Sequence, residues 1–443
     1  MTLDNRYSYG WREGRKVREV KPSRKSLLRR GHRIMFWLAA VLGGVSLLFV
    51  AGTWIYGMIE PEGDSGPEKP TKAHSSAGSD MRKPSPLSLA SLDWSSVDLS
   101  DRFSLFQDDV SMIVESTLNP ELQQYIRELL ERSQTERAAV VALRPDDGRI
   151  LAMVSYDKNG SDERLCLKAD FPAASLFKIV AAAAALEGSG FTPQKTVFYN
   201  GRKYTLYKRQ LKQTRNKYTR KMPFCKAFGL SINPVFGKLG IYALGRECMV
   251  KWGEKFQFNR SIPFDFPLEE SFFKVPEHSF GLAEIASGFN KITRISPLHA
   301  ALLSAAVAND GVMMKPWVVK RILGENGELL FENKPQKLTA TMGRDTAQDL
   351  KVLMEETVTS GTCRRSFWRM RKKTRFKGVH MGAKTGTIND LSGRYKYDWL
   401  TAFVLPPDGK KAFCIAVMGV HGKVLGIRAN RLGRYIIDHY MSL

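Results

Sequence analysis

Cysteine is scarce in this 443-residue chain, and no two thiols are spaced as Cys-x-x-Cys. The five present, at positions 166, 225, 248, 363 and 414, are too few and too scattered for a disulfide framework and read as buried singles. His380 and His421 have no ligand-like neighbours in sequence, so no metal and no other cofactor is expected. No Gly-x-Ser-x-Gly elbow occurs, which argues against an α/β-hydrolase. Internal repeats are absent as well. Acids are in short supply: 44 Asp and Glu against 68 Lys and Arg leave a net charge of +24. That balance favours an acidic partner, whether nucleic acid, anionic lipid or acidic polymer, without choosing among them. The 43% hydrophobic and 25% charged content is that of an ordinary globular chain. It excludes a collagen, a wholly disordered chain and a multi-pass membrane protein.

Long apolar runs are also lacking, with one exception. Ile34 to Ile59 holds 26 residues without a charged side chain. A bilayer core of about 30 Å needs about 20 helical residues, so residues 34–59 are expected to form one transmembrane helix. Residues 1–33 carry eleven Lys or Arg and three acids, and the positive-inside rule keeps that basic tail in the cytoplasm. The remainder is then expected on the far side of the inner (cytoplasmic) membrane, as a single-pass protein with membrane lipid among its partners. Both the run and its basic preamble are too long for a cleaved signal peptide. Residues 60–90, rich in Pro, Ser, Gly and Lys, read as a flexible linker. Residues 91–114 read as a short stalk or strap, and 115–443 as the main domain.

Within that domain, Asn119 to Glu131 sets Leu122, Ile126, Leu129 and Leu130 at helical spacing behind Pro120. Residues 138–156 read as a hairpin about Pro145-Asp146-Asp147-Gly148. Residues 398–405 and 411–420 read as a second, about Pro406-Pro407-Asp408-Gly409. A mostly helical stretch from about 172 to 360 lies between them, and 425–441 closes the chain as a helix. Strands at both ends around a helical insert predict an α+β fold: an antiparallel sheet flanked by helices, plus an all-helical lobe. An active site is expected at their seam.

Three short motifs carry the chemistry. Ser175-Leu176-Phe177-Lys178 is a Ser-x-x-Lys, Ser231-Ile232-Asn233 a Ser-x-Asn, and Lys384-Thr385-Gly386-Thr387 a Lys-Thr-Gly-Thr. Ser155–Lys158 and Ser271–Lys274 also fit the first pattern, but only Ser175 is expected to open a helix, just after Pro172. A spacing of three puts Ser175 and Lys178 on one face. Unpaired N–H groups at the helix start favour a developing negative charge there. A lysine base must lose roughly three units from its usual pKa of about 10.4 to work near neutrality. Burial supplies part of that and a second cation more, for which Lys384 is the candidate. Ser231 could relay a proton between the lysines, and Asn233 could hold Lys178 or a substrate carbonyl. Thr385 and Thr387 would offer hydroxyls to a carboxylate drawn in by Lys384. Gly386 would let a ligand's backbone approach closely.

In order and spacing, these motifs resemble those of the penicillin-binding D,D-transpeptidases and their serine β-lactamase relatives. So do Leu118 to Tyr156, the AFGLSINPVFGKLG stretch around Ser231, and ISPLHAALLSAAVANDG from Ile295 to Gly311. The similarity spans about residues 115–443. It implies Ser175 as acyl-enzyme nucleophile, Lys178 as base, Ser231 and Asn233 as the second motif, and Lys384 to Thr387 as the substrate-binding strand. Backbone N–H groups of Ser175 and Thr387 would form the oxyanion hole. Two stretches depart from the family: Gly288-Phe289-Asn290 stands where many relatives carry Gly-Gln-Gly, and Ile295-Ser296-Pro297 replaces the usual start of the Thr-Pro-Leu segment. About 55 residues between the apolar run and the domain leave no room for a glycosyltransferase domain or a large pedestal. A compact, monofunctional class B-like form is implied.

The function expected is a peptidoglycan D,D-transpeptidase, taking donor and acceptor stem peptides, blocked by β-lactams and working beside a peptidoglycan polymerase. The rivals are a D,D-carboxypeptidase or β-lactamase hydrolysing the same acyl-enzyme, and a non-catalytic penicillin-binding sensor. Two basic segments stand apart from the motifs. Residues 201–226 hold ten Lys or Arg and no acid, with three tyrosines between them, and 364–377 are similar. They read either as solvated excursions or as contacts to anionic lipid or wall polymer. Nucleic acid is not expected outside the cytoplasm.

Overall fold

A computed structural model of the chain describes Leu89, Leu92 and residues 100–107, 110–160 and 164–443. The expected basic tail, transmembrane helix and nearly all of the linker lie outside the described residues. Among the described residues no helix is long and apolar enough to cross a membrane.

Asn119 ends an extended stretch and caps helix α1 (Pro120–Glu131): its side-chain oxygen accepts from the Leu122 N–H at 2.8 Å, with Pro120 in the first turn. The two expected hairpins form and join. They supply strands β3 (Arg137–Leu143) and β4 (Ile150–Asp157), then β8 (Lys396–Leu405) and β9 (Phe413–His421). With β7 (His380–Asn389) they make one antiparallel five-stranded sheet in the order β7-β8-β9-β3-β4. The sheet's middle strand, β9, is buried along its whole length. Phe413, Ile415 and Val417 face a core shared with Leu122, Ile126 and Leu130 of α1 and with Leu432, Ile436 and Ile437 of the closing helix α8 (Ala429–Tyr440). Cys414, Ala416 and Met418 face the opposite core, where α6 (Pro297–Ala308) packs. A strand covered on both faces shows no polar alternation, which is why FCIAVMGV reads as a continuous apolar run.

The helical lobe is built on α2 (Lys178–Gly188), whose alanine run is buried on all sides. Around it stand α3 (Phe224–Gly229), α4 (Asn233–Leu239), α5 (Ser279–Ser287) and α7 (Arg344–Thr359).

The segment between 172 and 360 is less helical than expected. Three two-stranded ribbons have at least one strand in it, and it gives β5 (Val319–Leu323) and β6 (Leu329–Glu332) to a second, four-stranded sheet. The partners are β1 (Arg102–Gln107) and β2 (Val110–Ser116), so this sheet crosses the residue-115 boundary. None of these four strands keeps a strict apolar–polar alternation, so the period of two is weak in the sequence. All five cysteines are free, four of them buried.

Candidate active site

The nucleophile candidate sits on a strained turn. Ala174 has φ +47°, and residues Ala174–Phe177 form a 3₁₀ turn from which α2 continues. Ser175 therefore lies in the turn before the α-helix rather than in its first turn, as the sequence had implied. Two glycines make room for it. A Cβ on Gly288, itself at φ +64°, would fall 1.9 Å from the Ala174 carbonyl oxygen, and one on Gly386 would fall 3.2 Å from the Ala174 Cβ. Gly386 thus faces the nucleophile turn rather than a ligand. Trp399 of β8 donates to the Pro172 carbonyl at 2.9 Å and ties the sheet to the same turn.

The Lys178 amine reaches three oxygens: Ser175 Oγ at 2.7 Å, Asn233 Oδ1 at 2.8 Å and the Ser287 carbonyl at 2.5 Å. Lys384 Nζ reaches Ser231 Oγ and the Thr385 carbonyl, both at 2.9 Å. Ser231 adopts φ +54°, and this left-handed residue between α3 and α4 turns Ser231 and Asn233 into the same space. The second motif thereby spans the other two, its serine on Lys384 and its asparagine on Lys178.

Both lysines are fully buried. Burial, with Lys384 as a second cation, holds the Lys178 amine well below the usual lysine range. Burial brings Lys384 down to about 7. The Cys363 thiol near it is itself raised by burial to about 12, so it stays protonated and offers no counter-charge. In its neutral form the Lys178 amine would keep its two N–H groups for Asn233 and Ser287 and turn its lone pair to the Ser175 hydroxyl. That is a base aimed at a nucleophile.

Above this floor opens a cleft of about 490 Å³, with Ser175, Ser231, Asn233, Thr385 and Thr387 in its walls. Of the eight residues singled out by sequence, five line the cleft, the two lysines lie buried beneath it, and Gly386 packs behind. The rival serines do not join them. Ser155 contacts Cys166, and buried Ser271 accepts from the Ser296 N–H.

Other wall residues escaped the sequence reading. Thr362 bonds the Thr385 hydroxyl at 2.7 Å, and Tyr204 and Phe289 stand at the rim. Asp398, opposite Thr387 on the neighbouring strand, accepts two bonds from Arg428, at 2.6 and 2.7 Å, and one from the Ala429 N–H at 2.8 Å. Burial alone would raise the Asp398 carboxyl, but Arg428 and His421 hold it at about 2. Thr387 lies between the pair, donating to Asp398 and accepting from Arg428, each at 3.1 Å. A lone acid in the apolar run DWLTAFVL was a signal for Asp398. Arg428, 30 residues further on, gave none.

The profile of the penicillin binding protein transpeptidase domain matches residues 138–436. The chain belongs to this penicillin-binding transpeptidase family. Among curated relatives, Stage V sporulation protein D of Bacillus subtilis (strain 168) is 22% identical over 301 residues, covering 65% of this chain and 45% of that protein. Peptidoglycan D,D-transpeptidase PbpA of Mycolicibacterium smegmatis is 26% identical over 346 residues, covering 69% of this chain and 67% of that one. This transpeptidase-family chain therefore spans from under half to about two thirds of the length of these relatives. Its fold is that of penicillin-binding protein A from M. tuberculosis, solved as an imipenem acyl-enzyme complex, with a TM-score of 0.60 at 22% identity over 73% of this chain and 78% of that one. In this penicillin-binding transpeptidase-family member, the site lies where the five-stranded sheet meets the helical lobe, at the edge strand β7.

Proposed function

We propose that the protein is a peptidoglycan D,D-transpeptidase working through a Ser175 acyl-enzyme. The observation that carries this reading is the 2.7 Å contact between Ser175 Oγ and the Lys178 amine, which burial and the Lys384 charge hold well below the usual lysine range. Ser175 Oγ attacks the penultimate D-alanyl carbonyl of a stem peptide while its proton passes to Lys178 Nζ. The tetrahedral oxyanion is received by the Ser175 and Thr387 N–H groups. The C–N bond then breaks, the departing D-alanine nitrogen takes up a proton, and Ser231 carries the exchange between Lys178 and Lys384. An acceptor amine attacks the ester carbonyl and gives a proton to Lys178; the acyl C–Oγ bond breaks, Ser175 Oγ takes a proton back from Lys178, and a new peptide bond is left. Thr385 and Thr387 hold the donor's terminal carboxylate, drawn in by the charge of Lys384 beneath them, and a β-lactam acylates Ser175 in its place.

The hydrolytic readings need a carboxylate free to activate water. Among the described residues lining the cleft, Asp398 is the only acid, and Arg428, the Thr387 hydroxyl and the Ala429 N–H occupy it. That favours an amine acceptor. The reading also includes a single-pass anchor at residues 34–59 and an extracytoplasmic catalytic domain, supported by the charge asymmetry of the first 59 residues, and a polymerase partner, which rests on the family resemblance alone.

The test has two parts. Fluorescent penicillin should label the protein, persist through gel filtration and vanish in Ser175→Ala. A stem-peptide donor supplied with an amine acceptor should give cross-linked product by mass analysis. Rapid loss of label assigns a β-lactamase, hydrolysed donor alone a carboxypeptidase, and no labelling at all leaves a binding module.

A further inference from the structure

The helical lobe has a second cavity, of about 200 Å³, distinct from the catalytic cleft. Phe191, Val197, Phe198, Val235 and Leu239 wall it, and two cations, Arg215 and Lys238, stand in its lining. Among the described residues, no acid pairs with either cation, nor with any of the ten Lys and Arg between Arg202 and Lys226. Several of them lie over rings instead. The Arg215 guanidinium carbon is 3.8 Å from the Phe198 ring centre, Lys217 lies over Tyr218 and Arg209 over Tyr207. Tyr207, Tyr218 and Tyr242 are more than half exposed, and Tyr242 lines the cavity. Burial and the Arg215 charge both push the half-buried Lys238 amine below its usual range, the mark of a cation without its counter-ion.

Two features must be satisfied together. A polyanion would neutralise the charges and leave the apolar cavity wet, whereas a neutral amphiphile would fill the cavity and leave Arg215 and Lys238 unpaired. Hydrocarbon joined to an anionic head meets both demands. Cations snorkelling beside exposed tyrosines are also the side-chain mixture suited to a bilayer interface.

We infer that this cavity and its basic surround bind an anionic phospholipid, one acyl chain entering between Phe198 and Leu239 and the phosphate resting on Arg215 and Lys238. The site is close to the chemistry. Lys238 lies five residues along α4 from Asn233, about 7–8 Å at 1.5 Å per residue, and Asn233 bonds two carbonyls of the basic segment itself: its N–H donates to Lys203 and its side chain to Tyr204.

The experiment uses the full-length chain in a neutral detergent, with dioleoylphosphatidylglycerol as probe and dioleoylphosphatidylcholine and a short polyphosphate for comparison. Lipid retained after gel filtration is read by mass spectrometry. The anionic lipid should bind at least tenfold more tightly than the zwitterionic one. The Arg215→Ala/Lys238→Ala double variant should lose at least tenfold of that affinity. Ala243→Phe, which blocks the cavity mouth without changing charge, should lose a similar amount. Fluorescent penicillin labelling should be unchanged in both variants, which reports their folding separately from lipid binding. Equal retention by the parent and both variants overturns the proposal, because the lipid then sits elsewhere. So does equal binding of the two lipids. Loss in the charge variant with none in Ala243→Phe, together with full displacement by polyphosphate, assigns the surface to a polyanion instead.

Discussion

Lys384 and Ser231, 153 residues apart in the chain, meet at 2.9 Å on the floor of the cleft. Through Ser231 and its near neighbour Asn233, the buried Lys384 amine is joined to the buried Lys178 amine and so to Ser175. Two ammonium groups cannot both be kept charged in such a place without counter-charge. The site accordingly lowers both, and lowers Lys178 partly because Lys384 is there.

Activity and stability should part company at Lys178. A neutral methionine removes the base, and acylation by penicillin should fall by ~10²–10⁴-fold. It also removes a buried amine whose charged form is costly, so the unfolding midpoint should stay level or rise. Thermal unfolding of Lys178→Met beside its labelling rate checks this. A large drop in midpoint would mean that the amine serves mainly to hold the fold.

The two lysines should write themselves into the pH profile of kcat/KM for acylation. Lys178 acts as a neutral base, so the rate climbs as pH rises through its depressed range. Lys384 attracts the penicillin carboxylate only while charged, so the rate falls again as pH passes about 7. A penicillin methyl ester, with no carboxylate to attract, should keep the rising limb and lose the falling one. Identical profiles for acid and ester would refute that role for Lys384.

Asp398 should contribute to stability in one pH window. Its folded pKa of about 2 lies below the ordinary 3.8. Its contribution is therefore complete above pH ~4 and is lost as pH falls through about 2, and a shift of that size corresponds to about 2 kcal/mol. In Asp398→Asn the denaturant midpoint should be lowered at pH 6, and the gap to the parent should close in acid. Turnover should fall too, because Thr387 loses one of the groups that orient it.

At Gly288 a single methyl group should be enough to disturb the nucleophile. Its φ of +64° strains any other residue, and the added Cβ meets the Ala174 carbonyl at 1.9 Å. Gly288→Ala is expected to destabilise by roughly 1–3 kcal/mol and to slow labelling, since Ser175 is the residue next to Ala174. Normal labelling in this variant would show that the turn can shift freely.

The residues themselves settled a good deal. Pro120, the two Pro- and Gly-containing turns and the apolar runs beside them marked α1, both hairpins and the closing helix, because local turn chemistry and side-chain period act over a few residues. The three motifs named the site by residue type, since few side chains can serve as nucleophile, base and anion anchor. Other features required the fold. The sheet of β1, β2, β5 and β6 joins strands about 200 residues apart whose apolar residues do not alternate strictly. Gly386 looked like an opening for ligand until the Ala173–Ala174 turn was found against it. Lys178's third partner is a backbone carbonyl, which every residue possesses and no sequence can single out. Arg428 could be matched to Asp398 only once α8 was docked beside β8. Nor does a lysine's letter carry its basicity: the depression of Lys178 and Lys384 comes from the water that packing removes and the charge that it brings near.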